Sequence, residues 1–135
     1  LQEALRLYPP IPVVNRVCRK PHGLLGRLVR PGDIVVIPIY ALHRHQLYWR
    51  EPNRFDPDRF APEFGADKRK FIYMPFGAGQ RICIGAAFAM MEATIVLATL
   101  VRGAHFEAPP DRTIRPLLRI AMRPEGGLPT RISIM

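Results

Sequence analysis

Residues Phe76 to Gly85 read FGAGQRICIG, and an apolar stretch, AAFAMMEATIVLATLV, follows directly from Ala86 to Val101. One cysteine, Cys83, shares that loop with Gly77, Gly79, Gly85, one arginine and one aromatic. Glycine lets a backbone adopt conformations closed to other residues and approach a ligand closely, and this is the use expected of Gly77 and Gly79. The stretch behind the loop is alanine-rich and free of proline, so a helix is expected from Gly85 to about Val101. Cys83 is then expected in the first turn of that helix, where free N–H groups and the positive end of the helix dipole favour a thiolate. Phe76 is set to shield the sulfur from water. Arg81 offers a fixed positive charge to an anionic group lying beside the same ligand.

A cysteine so placed is either a small apolar filler or a thiolate that holds something. A phosphate-binding loop is excluded, because no Lys-Ser or Lys-Thr pair follows the glycines. A nucleophilic cysteine needs a histidine base; His43, His45 and His105 exist, but nothing in the local sequence places them beside Cys83. A single soft anionic ligand, a neighbouring arginine and apolar walls describe a haem site, with iron on the sulfur and propionates on the arginine. Cys18 lies in a strand-like stretch with no partner motif and reads as a buried filler. Two cysteines are too few for a disulfide scaffold and lack the paired spacing of a zinc site.

The 135 residues suffice for one compact domain, and a hydrophobic content of 48% argues against disorder. Fifteen prolines indicate extended segments and loops rather than a helical bundle. The net charge of +9 is scattered, without a basic helix or interleaved aromatic stripe, which argues against a nucleic-acid surface and favours a solvated basic face or a charged partner. The run from Ile84 to Val101 contains Glu92 and is short for a membrane span, so a buried core helix is expected. The chain opens on Leu1 inside a helical pattern and is read as a piece of a longer protein.

A coarse reading gives an α+β, loop-heavy chain. Leu1 to Tyr8 forms a helix stopped by Pro9 and Pro10, with Glu3 and Arg6 three apart on one face. Val13 to Val17 is a strand. GLLGRLVRPGDIVVIPIY forms a hairpin-like pair about Pro31-Gly32, and ALHRHQLYW one short helix, in which His43 packs or caps. The proline-rich run from Glu51 to Ala61 is irregular and pinned by Phe55 and Phe60. EFGADKRKFIYMP is a polar loop. Leu118, Ile120 and Met122 alternate, Pro124 to Gly127 turns the chain, and Ile132 and Ile134 return as a terminal hairpin.

FGAGQRICIG resembles the haem-binding loop of the cytochrome P-450 family, F-x-x-G-x-R-x-C-x-G, with every fixed position present. EALR at Glu3 to Arg6 is similar to the family's E-x-x-R helix, and EPNRFDPDRF resembles its proline-arginine-phenylalanine segment, with Asp58 where glutamate is commoner. The three motifs span essentially the whole chain in the family's order. The resemblance implies a mainly helical P-450 fold, of which residues 1–135 are the C-terminal haem-binding part of one larger domain whose N-terminal two-thirds lie elsewhere. It implies haem b, iron protoporphyrin IX, held by the Cys83 thiolate within a site of Phe76, Gly77, Gly79, Arg81, Cys83, Gly85, Arg16 and Ala89.

In this family Arg81 and Arg16 correspond to propionate contacts, and Ala86, Phe88 and Ala89 to residues against the haem. Glu3, Arg6 and Arg59 correspond to a buried charge network, structural rather than catalytic, expected to share bidentate contacts because two guanidinium groups face one carboxylate. Ile11, Val13 and Val14, and Leu118 with Ile120, correspond to segments lining an apolar substrate pocket. The implied enzyme inserts one oxygen atom from O2 into an apolar substrate, fed by a ferredoxin or flavoprotein reductase docking near Lys68, Arg69 and Lys70. The isolated piece is expected to be inactive. Rival readings are a haem-thiolate peroxygenase or isomerase, a non-enzymatic haem sensor, and a basic structural or nucleic-acid-binding module. The compact loops lean towards a soluble, cytoplasmic bacterial protein.

Overall fold

A computed structural model of the chain describes residues 1–62, 70–109 and 113–135. The first helix, α1 (Gln2–Leu7), carries Glu3 in its first turn and Arg6 in its last, the arrangement that complements a helix dipole. The two prolines that follow end it, because neither can donate the next helical hydrogen bond. Beyond them β1 (Val14–Val17) runs antiparallel to β4 (Ile34–Ile37), with Val14 opposite Ile37 and Val17 opposite Ile34. Between these, β2 (His22–Leu24) and β3 (Arg27–Val29) form their own hairpin.

This corrects the hairpin expected about Pro31-Gly32. The tight turn lies at Leu25-Gly26, with φ of 49° and 75°, the left-handed pair that a two-residue hairpin connection requires. Asp33 instead organises the entry to β4, its carboxylate accepting the Arg30 N–H at 2.7 Å. The backbone N–H of Cys18 reaches the Asp33 carbonyl at 2.8 Å and so extends the β1–β4 pair.

Helix α2 (Ile39–Leu42) is shorter than expected, since the chain from His43 to Trp49 continues in turns. The Glu51–Ala61 segment is irregular until a 3-10 turn at Pro57–Phe60, which the Asp56 carboxylate caps by accepting the Asp58 N–H. Phe60 packs against Tyr73 with centroids 4.8 Å apart, whereas Phe55 is exposed and pins nothing. A second 3-10 turn at Gly79–Arg81 precedes α3 (Ala86–Gly103), which passes directly into β5 (Ala104–Glu107). The terminal pairing also differs from expectation. β6 (Pro116–Leu118) pairs with β7 (Met122–Pro124), while β8 (Arg131–Ile134) crosses back to β5. Ile120 therefore sits in the tight β6–β7 turn rather than in a strand, because three residues suffice to reverse the chain there.

Leu7, Cys18, Ile39 and Trp49 are buried apolar residues, and Glu3, Arg6 and His43 are buried polar ones. None of α3 is buried, contrary to the core helix expected. By length and composition α3 could also cross a membrane. The physical reason is surface: the chain exposes 10851 Å², against about 7,200 Å² for a compact monomer of this size, so no layer of these residues covers the helix.

Candidate haem-thiolate site

Three backbone hydrogen bonds shape the cysteine loop. Gly77 N–H donates to the Met74 carbonyl at 3.0 Å, Ile82 N–H to Gly79 at 3.1 Å, and Cys83 N–H to Phe76 at 2.9 Å. The chain reverses on Gly77 and Gly79, whose φ of 76° and 72° would strain any side chain. Cys83 is not in the first turn of the helix, as expected, but three residues before Ala86, where its carbonyl accepts the Ala86 N–H at 3.3 Å. Gly85 intervenes as N-cap, and the loop turns before helical geometry begins.

The Cys83 thiol is exposed, and its sulfur hydrogen-bonds to none of the described residues. A Cβ added at Gly85 would touch that sulfur at 3.9 Å, so the glycine keeps one flank clear. Ile84, next in sequence, and Phe88, in the first turn of α3, are exposed, Phe76 and Ala89 are half-buried, and Arg81 is exposed on the preceding 3-10 turn. A free sulfur therefore projects from a glycine-shaped loop with an apolar rim.

The second cluster is built on α1. Arg6 grips Glu3 bidentately, Nε to Oε2 at 2.7 Å and Nη2 to Oε1 at 2.8 Å, with both side chains essentially inaccessible. The Asp56 N–H donates to Glu3 Oε1 at 2.9 Å, and Arg59 Nε lies 3.4 Å from the same oxygen. The remaining Arg6 donors reach the carbonyls of His43 (2.6 Å), Pro52 (2.7 Å) and Arg54 (3.2 Å). The guanidinium also lies 5.0 Å above the Trp49 ring. The structure thus brings Glu3, Arg6 and Arg59 together. Arg6 is paired within α1 by Glu3, and its contacts to His43, Pro52, Arg54 and Trp49 tie the helix to the chain from His43 to Arg54, which is how a fully buried cation is tolerated.

His43, given only a packing or capping part by its sequence, is wholly buried. Its Nδ1 lies 3.1 Å from the Arg6 carbonyl, and its Nε2 receives the Met74 N–H at 2.8 Å. A carbonyl on one side and an N–H on the other dictate the neutral Nδ1–H tautomer. Burial, together with the Arg6 and Arg44 charges, holds its pKa down at about 4. No local signal could have found this role, because both partners are remote in sequence.

Among the described residues no histidine hydrogen-bonds the Cys83 sulfur, and His22 instead lies with Nδ1 3.6 Å from the Cys18 sulfur. His43 is engaged at both nitrogens, His45 Nδ1 accepts the Leu47 N–H at 3.3 Å, and His105 lies 3.4 Å from Glu107. Cys18 is buried as a filler, its thiol donating to the Lys20 carbonyl at 3.0 Å.

Arg16 is exposed on β1, its guanidinium donating to the Asn15 carbonyl at 2.9 Å. Ile11, Val13 and Val14 lie along and just after the proline stop. The Met122 N–H reaches the Pro10 carbonyl at 2.7 Å, so the hairpin bearing Leu118 and Ile120 docks beside them. Leu118 and Ile120 themselves are exposed. Lys68 and Arg69 lie outside the described residues, and Lys70 stands exposed with its ammonium 5.5 Å from the Phe71 ring centroid.

Among the described residues no three His, Cys, Asp or Glu side chains converge on a metal position. A porphyrin supplies four nitrogens and asks the chain for one soft axial ligand, a demand that an exposed thiol such as that of Cys83 fits.

The comparisons agree. The cytochrome P450 family profile matches residues 1–130. Rat cytochrome P450 4B1 is 39% identical over 129 residues, covering 95% of this chain and 25% of that protein. Human cytochrome P450 4F12 is 40% identical over 134 residues (98% and 25%), and the pig taurochenodeoxycholic 6 alpha-hydroxylase 42% over 132 (95% and 25%). The chain belongs to the cytochrome P450 family. It spans about a quarter of the length of these relatives. They come from animals, which gives no support to the lean towards a bacterial protein.

Proposed function

We propose that this chain supplies the haem-binding part of a haem-thiolate monooxygenase, residues 1–135 belonging to one larger domain. The observation that carries the reading is the exposed, unbonded Cys83 sulfur on a glycine-turned, apolar-rimmed loop. In this reading Cys83 is the axial ligand, and Arg81 holds a haem propionate with Arg16 as a second donor after rotating from the Asn15 carbonyl. Ala89 and Phe76 present apolar surface to the macrocycle, and Gly77, Gly79 and Gly85 keep Cβ atoms out of its path. The bound haem supplies the oxygen chemistry, by which one atom of O2 enters an apolar organic substrate. The hydroxylase named among the relatives supports that reaction class.

Glu3, Arg6 and Arg59 act as a brace, holding the Glu51–Phe60 segment against α1 without touching the reaction. Ile11, Val13, Val14, Leu118 and Ile120 give the substrate its apolar contacts. A ferredoxin or flavoprotein reductase docks on the basic segment that includes Lys68, Arg69 and Lys70, its acidic face steered by their charge.

The deciding experiment reduces the haem-loaded protein and exposes it to carbon monoxide, beside Cys83→Ala. A strongly red-shifted Soret band in the parent that vanishes in the variant is expected. Persistence of the band without the Cys83 sulfur would refute the ligand assignment.

A further inference from the structure

The charge cluster on α1 and the cysteine loop are separate features of the sequence, yet one side chain joins them. The segment that launches the loop, Tyr73-Met74-Pro75-Phe76, lies in neither helix nor strand. Its backbone groups must therefore be satisfied by something else. The Met74 N–H finds His43 Nε2 at 2.8 Å, and the Met74 carbonyl takes the Gly77 N–H at 3.0 Å. Two residues on, the Phe76 carbonyl takes the Cys83 N–H at 2.9 Å. At the other ring nitrogen, Nδ1 is held by the Arg6 carbonyl at 3.1 Å. Tyr73 stacks on the same imidazole, centroids 5.3 Å apart, and its hydroxyl donates to the Gln2 carbonyl at 3.1 Å.

We propose that His43 is a positioning residue for Cys83, transmitting the fixed geometry of the Glu3–Arg6–Arg59 cluster to the cysteine loop through Met74. The inference rests on the thiolate reading above for its consequence, but not for its geometry. A flexible loop alone would let the sulfur wander. Anchoring Met74 fixes the start of the loop, and the Phe76–Cys83 hydrogen bond fixes its end relative to that start. An imidazole suits the task because it donates and accepts at opposite edges of one rigid ring, and burial keeps it in the neutral form that does both.

The two nitrogens can be replaced separately. In His43→Gln the side-chain carbonyl reaches the Nε2 position and still accepts the Met74 N–H. In His43→Asn the amide reaches only the Nδ1 position, so the Arg6 carbonyl keeps a donor and Met74 loses its acceptor. Amide hydrogen exchange and the carbon monoxide spectrum are compared in the haem-loaded parent and both variants. Exchange at Met74 and Cys83 is expected to quicken roughly tenfold in Asn and to stay near the parent in Gln, the factor that one hydrogen bond supplies. The red-shifted band is expected to weaken in Asn and persist in Gln.

Equal disturbance by both variants would show that His43 only fills space, and no effect in either would show that Met74 needs no anchor. Each overturns the proposal. Should the parent itself lack the shifted band, the thiolate reading fails, and the exchange comparison alone then decides the link.

Discussion

Replacing Glu3 by glutamine tests the cluster on α1 most directly. The native carboxylate receives four groups: two Arg6 donors at 2.7 and 2.8 Å, the Asp56 N–H at 2.9 Å, and Arg59 Nε at 3.4 Å. Glutamine keeps one carbonyl oxygen, enough for Asp56 and one Arg6 donor. Its NH2 then faces the Arg6 Nε–H, donor against donor. The larger loss is charge, because Arg6 is fully buried and a second guanidinium lies beside it. Removing one partner of a buried ion pair costs about 3–5 kcal/mol, chiefly by leaving the other charge uncompensated.

Domains are stable by only about 5–15 kcal/mol, so roughly a fifth or more of the total is at stake. The melting temperature of the folded protein should fall with it. Urea titration and thermal denaturation of parent, Glu3→Gln, Arg59→Gln and the double variant would read this. The double variant is expected to lose less than the sum, since it removes a cation along with the carboxylate. A loss below about 1 kcal/mol in Glu3→Gln would place the cluster among solvated surface pairs, and the reasoning would fall with it.

Two further outcomes follow from individual groups. The imidazole of His43, packed against Arg6, Arg44 and Tyr73, has its pKa lowered from 6.5 to about 4, so below pH 6.5 the unfolded chain takes up a proton that the folded site refuses. Stability should therefore fall as pH drops from 6.5 towards 4, by up to about 3 kcal/mol, and His43→Gln should lack that component; urea midpoints at pH 7, 6 and 5 that run parallel in both proteins would contradict it. Leu25 holds φ of 49° at an exposed turn, a conformation that asparagine tolerates better. Leu25→Asn should raise stability by about 0.5–1 kcal/mol, seen as a higher melting temperature, and a drop would mean that the Leu25 side chain makes contacts its exposure does not suggest.

Much of the local structure was legible. Proline pairs mark where α1 ends, because they cannot donate helical hydrogen bonds, and an alanine-rich run without proline marks α3. Which strands pair was not legible. Both β1 and β3 are apolar enough to pair with β4, and the choice fell to a Leu25-Gly26 turn that lacks the usual Asn-Gly signal. The same ambiguity exchanged the partners of the terminal strands, where β8 left β7 for β5. α3 illustrates a different limit, since apolar composition cannot tell a helix that is covered from one that is not.

The sequence by itself determined the family, because glycine spacing, a lone sulfur and an arginine stand within ten consecutive residues. It also put Glu3 and Arg6 on one helix face, since three residues make most of a turn. The family resemblance already grouped Arg59 with Glu3 and Arg6; only the tertiary structure added the Asp56 N–H to the same carboxylate, 53 residues away. It alone made His43 a link, because a histidine's two edges acquire meaning from a carbonyl 37 residues before it and an N–H 31 residues after. Hydrogen bonds over such separations leave no local periodicity to read, and they exist only once the chain has folded back on itself.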